Sequence, residues 1–223
     1  MCPQPIVAIA DTTFFGREYG VLVVRSQKLK RNLYWKEVVS ETAVVYREAR
    51  HTLEKQGFTF QAIVLDGRKG IKAVFSDIPV QMCHFHQLQI INRYLTRRPK
   101  LEAGRQLRLI ALDLSQKGIT EVFFTRLLHE WHERWSEFLK ERTYHGDGKH
   151  WQYTHRRIRS AYRSLKVNLP YLFTFQTYPE LNIPNTTNSL DGSFSHLKDL
   201  LRIHRGQKRH RRWKVIQEVL ARR

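Results

Sequence analysis

Two short apolar runs, each followed by an aspartate, constrain the fold of this chain most. Residues 6–10 (IVAIA) precede Asp11, and residues 61–65 (QAIVL) precede Asp66. Apolar runs of this length are typical of strands that are buried on both faces of a sheet. Open α/β sheets place their sites at the carboxyl ends of such strands. We therefore expect both aspartates to lie at strand ends, in the region of a site.

Helical and strand patterns alternate around these runs. The elements predicted after the first strand are, in chain order, strands at 21–24 and 33–35, a helix at 36–55 ended by Gly57, the strand at 61–65, a short helix at 71–75 and a strand at 80–83. Gly16 and Gly20 bracket the turn that makes the first two strands a hairpin. This order predicts an α/β fold.

From about Arg97 the sequence becomes helical, aromatic and basic. Trp131 and Trp135 are four residues apart on a predicted apolar helix face, so we expect both in the core of this segment. A second, basic helix is predicted over 153–166, and turn residues cluster at 170–184. The predicted domains are a first core part at 1–96, an all-helical insertion at 97–169, a last core part at 170–206 and a basic C-terminal segment at 207–223.

The charge of the chain indicates a polyanionic partner. The sequence has 39 Lys and Arg against 20 Asp and Glu, a formal net charge of +19, which favours nucleic acid first and an acidic membrane surface second. A hydrophobic content of 41% predicts a folded domain. We find no apolar run near the roughly 20 residues that a bilayer span needs, and no signal peptide. Two cysteines, Cys2 and Cys83, predict no disulfide framework and a reducing, cytoplasmic compartment. With a DNA partner, the expected location there is nucleoid-associated.

A third acid, Asp191, lies in the segment NTTNSLDGSFSHLK, where a helix is predicted to begin. Three carboxylates on different elements can hold two divalent metals, which clamp the attacking and leaving oxygens of a phosphodiester. Mg²⁺ prefers such oxygen ligands. An acid at such a position, taken alone, is usually a turn residue, a cap or a helix-dipole contact. Asp11, Asp66 and Asp191 together predict a site for Mg²⁺, with Mn²⁺ as a substitute.

Gly192 follows Asp191 and is unfavourable inside a helix by about 1 kcal/mol relative to alanine. A glycine at such a position suggests a close approach of backbone, from a DNA strand or a packed sheet. The alternative is that Gly192 lies in the first turn of a helix that begins later.

The segments IADTTF, VLDGRKGIKAVF, VQMCHFHQ and NTTNSLDGSFSHLK resemble the Mutator-type DDE transposases of bacterial insertion sequences. The resemblance covers about residues 6–206. It implies an RNase H-like catalytic domain, a mixed sheet flanked by helices, with a helical insertion before the last catalytic helix. It also implies Mg²⁺-dependent cleavage of DNA ends, their joining to target DNA, and a homodimer on paired ends.

By this resemblance Asp11 and Asp66 match the first two catalytic acids of the family. Cys83 and His86 match a Cys-x-x-His motif near the active site. The TTN-x-x-E motif falls on residues 186–191, with Asn188 near the active site and Asp191 as the third acid. The resemblance thus assigns catalysis and metal binding to Asp11, Asp66 and Asp191.

Two features depart from the family pattern. The third acid is usually Glu, and Asp191 is one methylene shorter, which can misplace a metal because sites need positioning within about 0.5 Å. The family's DNA-end-binding region normally precedes the catalytic domain, whereas little sequence precedes the first strand here. We therefore expect either a truncated reading frame or a catalytic fragment.

Cys83, His84 and His86 do not predict structural zinc, because such sites usually need four ligands from paired motifs. The alternative for Cys83 and His86 is a buried thiol and a hydrogen-bonded imidazole.

A run of basic residues near the C-terminus predicts contacts with DNA phosphates, which position DNA without reading its sequence. Its members are Arg202, Arg205, Lys208, Arg209, Arg211, Arg212 and Lys214. The arginines at 156, 157, 159 and 163 make a weaker case of the same kind, and a solvated surface is the alternative for both groups.

The sequence therefore favours a DNA transposase catalytic domain that cuts and joins double-stranded DNA at insertion-sequence ends. Two alternatives stay open: a catalytically decayed DNA-binding module, and a metal-dependent nuclease that does not join strands.

Overall fold

The computed structural model describes residues 4–68, 70–116, 118–144, 146, 150–203 and 206–222. The chain divides into two compact units, one formed by residues 1–83 and 177–223 and the other by residues 84–176. The strands are β1 (Gln4–Phe15), β2 (Tyr19–Ser26), β3 (Arg31–Val38), β4 (Phe58–Leu65), β5 (Val80–Met82), β6 (Arg142–Tyr144) and β7 (Trp151–Tyr153). The helices are α1 (Ala43–Lys55), α2 (His84–Leu95), α3 (Glu102–Asp113), α4 (Glu121–Lys140), α5 (Arg156–Leu172), α6 (Thr174–Thr177), α7 (Asn188–Ile203) and α8 (Arg209–Ala221).

The first unit contains a five-stranded mixed sheet with the order β3-β2-β1-β4-β5. The β1–β2 and β2–β3 pairs are antiparallel, while β1–β4 and β4–β5 are parallel. The central strand β1 is buried on both faces over residues 6–11, as its apolar run predicts. The predicted α/β class is confirmed at this level.

Three helices pack on this sheet through one apolar face each. Helix α1 packs on β3 and β4 and buries Tyr46, Ala49 and Leu53, which recur at helical spacing. Helix α7 packs on β1, and α8 packs on α7 and β3. The Asn32 side chain donates a hydrogen bond of 3.0 Å to the Leu220 carbonyl near the end of α8. The basic C-terminal segment is therefore a docked helix within the first unit.

The second unit is built mainly from α2, α3, α4 and α5, and it contains the predicted insertion, residues 97–169. Trp131 is buried and its indole N–H donates to the Ala103 carbonyl at 2.9 Å, while half-buried Trp135 donates to Gln106 at 3.0 Å. Both indoles thus join α4 to α3, as expected of core side chains. Phe123 does not belong to this core, because 42% of it is exposed.

The prediction of an all-helical insertion is wrong. Strands β6 and β7 form an antiparallel two-stranded sheet between α4 and α5. Each strand has only three residues, too few for its alternation of side chains to stand out against the helical patterns on either side. The predicted short helix at 71–75 is a 3₁₀ turn over Lys72–Phe75.

Two predicted boundaries also differ from the structure. Strand β1 continues through Asp11 to Phe15, because its antiparallel partner β2 extends further along it than β4 does. Helix α5 continues through Pro170, which the sequence placed among turn residues. Buried Leu165, Asn168 and Leu172 keep this helix packed, and the Asn168 amide donates to Gln87 at 2.8 Å. Tertiary packing here overrides the local cost of proline.

Across the part of the chain that the structure describes, no helix is both long and apolar enough to cross a membrane.

Candidate metal site

Asp11 lies on β1 just beyond the point where β1 leaves its parallel partner. The parallel β1–β4 register ends at the pair Ile9–Val64, whereas β1 stays paired with β2, so that Asp11 faces Val23. The prediction that Asp11 ends a strand is therefore wrong, although it does lie past the carboxyl end of the parallel pair. Only 6% of Asp11 is exposed, and one carboxylate oxygen accepts a hydrogen bond from the Thr12 amide at 2.8 Å.

Asp66 is the first residue after β4, as predicted. Asp11 and Asp66 are each two residues beyond the paired Ile9 and Val64, so they continue the same register on neighbouring strands. The Asp66 carboxylate accepts a hydrogen bond from the Arg68 amide at 2.9 Å. It is half-buried.

Gly67 allows the chain to turn directly after Asp66. Its φ of +85° is in the left-handed region, and a Cβ there would lie 2.4 Å from the Met82 methyl carbon. Any other residue would combine backbone strain with a collision. The glycine of the DGRKG segment therefore sets the direction in which the chain leaves β4.

Asp191 is the fourth residue of α7, and its position follows from how that helix begins. The Thr187 carbonyl accepts hydrogen bonds from the amides of Leu190 and Asp191 at 2.8 and 3.1 Å, which starts the helix. Leu190, Phe194 and other apolar residues bury one face of α7, which packs on β1. This packing brings Asp191 to the part of β1 that carries Asp11.

Two carboxylates of the first unit at this point could hold a metal ion. Asp11 and Asp191 each offer one ligand oxygen, and these atoms lie within 4.8 Å of each other. Asp11 is buried and Asp191 is half-buried. Carboxylate oxygens suit a hard cation such as Mg²⁺ or Mn²⁺. Asp66 is not a member of this group. His86, which the resemblance placed near the active site, is half-buried in α2 of the second unit.

Thr187 and Cys83 support the Asp191 carboxylate through a chain of hydrogen bonds. The Thr187 hydroxyl donates to an Asp191 carboxylate oxygen at 3.1 Å. The Cys83 sulfur lies 3.4 Å from that hydroxyl oxygen and accepts from the Thr187 amide at 3.3 Å. A hydroxyl has one proton, and an ionised carboxylate can only accept, so the Cys83 thiol must donate to Thr187. Cys83 and Thr187 are both fully buried, which keeps water out of this chain of hydrogen bonds.

Cys83 itself is fixed by the sheet. It follows β5, and its amide donates to the Leu65 carbonyl of β4 at 2.8 Å. Leu65 is the residue before Asp66, so one backbone hydrogen bond links the strand that carries Asp66 to the residue that supports Asp191. Asn188, the other residue expected near the site, is exposed as the first residue of α7.

Glu41 is a buried acid near Asp66 that no sequence pattern predicted. Its side chain is 5% exposed, accepts from the Tyr46 hydroxyl at 2.5 Å and pairs with Arg68 at 3.1 Å. Burial, followed by the Asp66 charge, raises the pKa of the Glu41 carboxyl, and the Tyr46 and Arg68 contacts oppose this. Glu41 and Thr42 come directly before α1. From the sequence alone, an acid at this position is expected to be a helix cap.

Glu41 should make the stability of the metal-free protein depend on pH. Its pKa in the folded protein is raised above the ordinary value of 4.5, so folding favours the protonated form. The unfolded chain then loses this proton first as pH rises. We expect the free energy of unfolding to fall with increasing pH between 4.5 and the raised pKa. Urea unfolding in EDTA should show a smaller decline for Glu41→Gln; an equal decline in both proteins would exclude Glu41 as the cause.

Gly192 does not make room for a packed sheet. It lies on the exposed side of α7 as the fifth residue of the helix, and an added Cβ would meet no atom within 4 Å. The helix begins at Asn188, so the alternative of a later start is wrong as well. Approach of a DNA strand remains as a prediction.

We expect Gly192→Ala to raise the free energy of unfolding by about 1 kcal/mol, because alanine is the better helix former and nothing obstructs its methyl group. Gly57→Ala is the matched control. It is also unobstructed, but its φ of +90° strains alanine, so this change should lower stability. Urea denaturation of both variants measures the difference; equal shifts of the same sign would contradict the expectation.

The predicted DNA-binding residues near the C-terminus have different surroundings. Arg202, Lys208, Arg211 and Lys214 are exposed, and Arg212 is half-buried. Arg209 pairs with Glu37 of β3 at 2.5 Å and lies 5.0 Å from the centre of the Tyr19 ring, so it also docks α8. Arg205 lies outside the described residues. The exposed members remain predictions for phosphate contact.

Comparison of the chain with models of protein families gives no match. Comparison with curated proteins gives none either.

Proposed function

We propose that this chain is the catalytic domain of a DDE-type DNA transposase, which cleaves and joins phosphodiesters with divalent metal ions. The placement of Asp191 carries the proposal. This residue is 180 positions after Asp11 in the sequence, yet their carboxylate oxygens lie within 4.8 Å of each other. The sequence resemblance matches both residues to catalytic acids of the family.

The sheet gives further support. A mixed five-stranded sheet flanked by helices is the architecture that the resemblance implies, and we propose that it is RNase H-like. Asp66 continues the β1–β4 register beside Asp11, on the strand where the second acid is expected.

We propose that Asp11 and Asp191 hold one metal ion and that Asp66 joins Asp11 in holding a second. Bound ions of this kind activate water and stabilise charge on a phosphodiester in an in-line displacement. Thr187 fixes the carboxylate of Asp191 through its hydroxyl, and the burial of Asp11 limits its exchange with solvent. Fixed ligands avoid reorganisation during the reaction, which is the main protein contribution to phosphoryl transfer.

His86 is proposed, from the Cys-x-x-His motif of the resemblance alone, as a contact of the scissile phosphate or as a group that tunes a metal ligand. Mn²⁺ is the test ion because the resemblance implies Mg²⁺, for which Mn²⁺ can substitute.

Double-stranded DNA is the proposed substrate because the chain is strongly basic and α8 presents exposed cations. The net charge of +19 favours a polyanion at long range. Arg211 and Lys214 are exposed on α8, in the same unit as the acids. Phosphate contacts of this type give affinity that falls steeply with salt.

Nicking of supercoiled plasmid in Mn²⁺ tests the proposal. We expect nicking by the wild type and by Asp199→Ala, an exposed acid elsewhere on α7 that serves as the matched control. We expect Asp66→Ala to nick at background rate. Nicking by Asp66→Ala at the wild-type rate would contradict the assignment of Asp66.

Asp191→Glu distinguishes the alternatives. Activity only in this variant would mean that the fold is right but that the natural carboxylate is too short, as in a decayed DNA-binding module. Nicking by the wild type without joining of 3′ ends to a second plasmid would favour a nuclease. Absence of nicking in every variant, with plasmid binding retained, would favour the binding module.

A further inference from the structure

We propose that the β6–β7 hairpin of the second unit is a binding element for unpaired nucleotides, with aromatic rings that stack on bases and arginines that contact phosphates. This hairpin lies outside the sequence segments that carry the three acids, and nucleotide binding by it does not require metal chemistry.

The register of the hairpin places its aromatic and cationic side chains on one face. Arg142 pairs with Tyr153, and Tyr144 pairs with Trp151, with Thr143 and its partner Gln152 between them. Because successive side chains of a strand point to opposite faces, the two outer pairs share a face and the middle pair lies on the other. Three aromatic rings and one guanidinium are therefore collected on a surface only two strands wide.

Two of the three rings on this face are exposed although they are large, and Tyr153 is half-buried. The exposed fraction is 58% for Tyr144 and 40% for Trp151. Arginines already contact part of the face, Arg142 at 3.9 Å from the centre of the Trp151 ring and Arg159 at 3.5 Å from that of Tyr153. Aromatic rings interleaved with guanidinium groups provide the two contacts that a single-stranded nucleic acid needs, stacking on a base and pairing with a phosphate.

The base of the hairpin is held firmly by the helices on either side. The Thr154 amide donates to the Glu141 carbonyl at 3.0 Å. The His155 ring stacks on Phe138 with centroids 3.6 Å apart. Arg159 also donates to the Leu139 carbonyl, at 2.6 Å, near the end of α4. A surface that is already ordered loses little conformational freedom on binding, which favours a recognition role.

The charge around the hairpin favours nucleic acid over a protein as its binding partner. Residues 142–166 contain seven Lys and Arg and one acid. Residues 121–141, the segment of α4 just before it, contain five glutamates. The exposed aromatic face thus begins where the sequence changes from mixed charge to nearly pure positive charge. A polyanion with unpaired bases matches both properties.

Titration of a fluorescein-labelled oligo(dT) in EDTA, followed by anisotropy, tests the proposal in the full chain. We expect Trp151→Ala to weaken binding about tenfold, the effect of losing one stacked base. This loss should be similar at every salt concentration, because stacking releases no counterions. Arg142→Gln should instead reduce the salt dependence, by roughly 0.7 in the slope of log K against log salt for one lost phosphate contact to a single strand.

The chain offers a matched control on α4. Phe123 is 42% exposed and has Arg126 5.1 Å from its ring centre, so it is also an exposed aromatic–arginine pair, but it lies in the glutamate-rich segment. Phe123→Ala should leave oligo(dT) affinity unchanged. Trp151→Phe keeps a stacking ring and should retain most of the affinity, which separates lost stacking from a disturbed hairpin.

Unchanged affinity in Trp151→Ala, or an equal loss in Phe123→Ala, would overturn the proposal. It would also be overturned if Trp151→Ala changed the sedimentation of the protein but not its oligo(dT) affinity, since the face would then bind protein. Binding is measured without metal, so failure of the nicking assay leaves this result intact, and the reverse also holds.

Discussion

Asp11→Asn is expected to lower Mn²⁺-dependent plasmid nicking by about a hundred- to a thousandfold, the usual effect of removing one electrostatic group from a catalytic site. Asp11 is the buried member of the acid group, and Asn is isosteric but neutral. It therefore removes a ligand charge without opening a cavity. Gel quantification of nicked and supercoiled plasmid measures the loss.

The same substitution should stabilise the metal-free protein. Two carboxylates within 4.8 Å repel each other, by about 1 kcal/mol where solvent screens them as it does at half-buried Asp191. Asp11→Asn removes this repulsion, so we expect a higher Tm than the wild type in EDTA. Added Mn²⁺ should then raise the Tm of the wild type and leave that of the variant unchanged, because only a bound ligand shifts the folding equilibrium.

Asp199→Asn provides the control for both effects, since it removes an exposed α7 carboxylate that pairs only weakly with Arg202 at 3.4 Å. Nicking by Asp11→Asn at a rate near that of the wild type would remove Asp11 from the site. If Asp11→Asn has a lower Tm in EDTA than the wild type, Asp11 stabilises the strand instead of serving as a metal ligand.

Thr187→Val is expected to lower nicking about 10- to 100-fold and to raise the Mn²⁺ concentration needed for half-maximal rate. Valine has nearly the shape of threonine, so the buried site stays filled while the hydroxyl that donates to Asp191 is lost. Asp191 then keeps its charge but loses its fixed orientation. Loss of a group that supports a metal ligand typically lowers metal affinity or activity 10- to 100-fold. We expect stability to fall by about 1 kcal/mol from the lost hydrogen bond.

Two variants separate orientation of Asp191 from general destabilisation. Thr187→Ser keeps the hydroxyl and should retain most activity and metal response. Ser193→Ala removes a largely buried hydroxyl of α7, which donates to the Ser189 carbonyl at 3.2 Å, and should leave nicking unchanged. A Thr187→Val protein with normal Mn²⁺ response would show that Thr187 acts only as the start of the helix.

The sequence predicted the central sheet because β1 and β4 are buried on both faces, and burial of this kind leaves a continuous apolar run. It misjudged the end of β1, because a strand's length depends on the partner beside it, and β2 extends past the parallel pair. It missed β6 and β7 because three-residue strands have no measurable period.

The three acids were predicted from strand ends, helix start and family resemblance, and their assignment remains a prediction. Local sequence patterns could not predict the hydrogen bonds that support these acids. Cys83 and Thr187 are 104 residues apart, so their contact arises only from the packing of α7 against the sheet. Glu41 likewise becomes notable only when folding buries it beside the chain that leaves β4.

The division of the first unit between the two ends of the chain has a consequence during translation. Asp11 and Asp66 leave the ribosome early, whereas the helix that carries Asp191 is added only after the whole second unit has been made. At roughly 5–20 residues per second, Asp11 and Asp191 are separated by about 10 to 35 s of synthesis. Under the proposed function, a nascent or prematurely terminated polypeptide would lack its last carboxylate, so it would not cleave DNA next to its own ribosome before the protein is nearly finished.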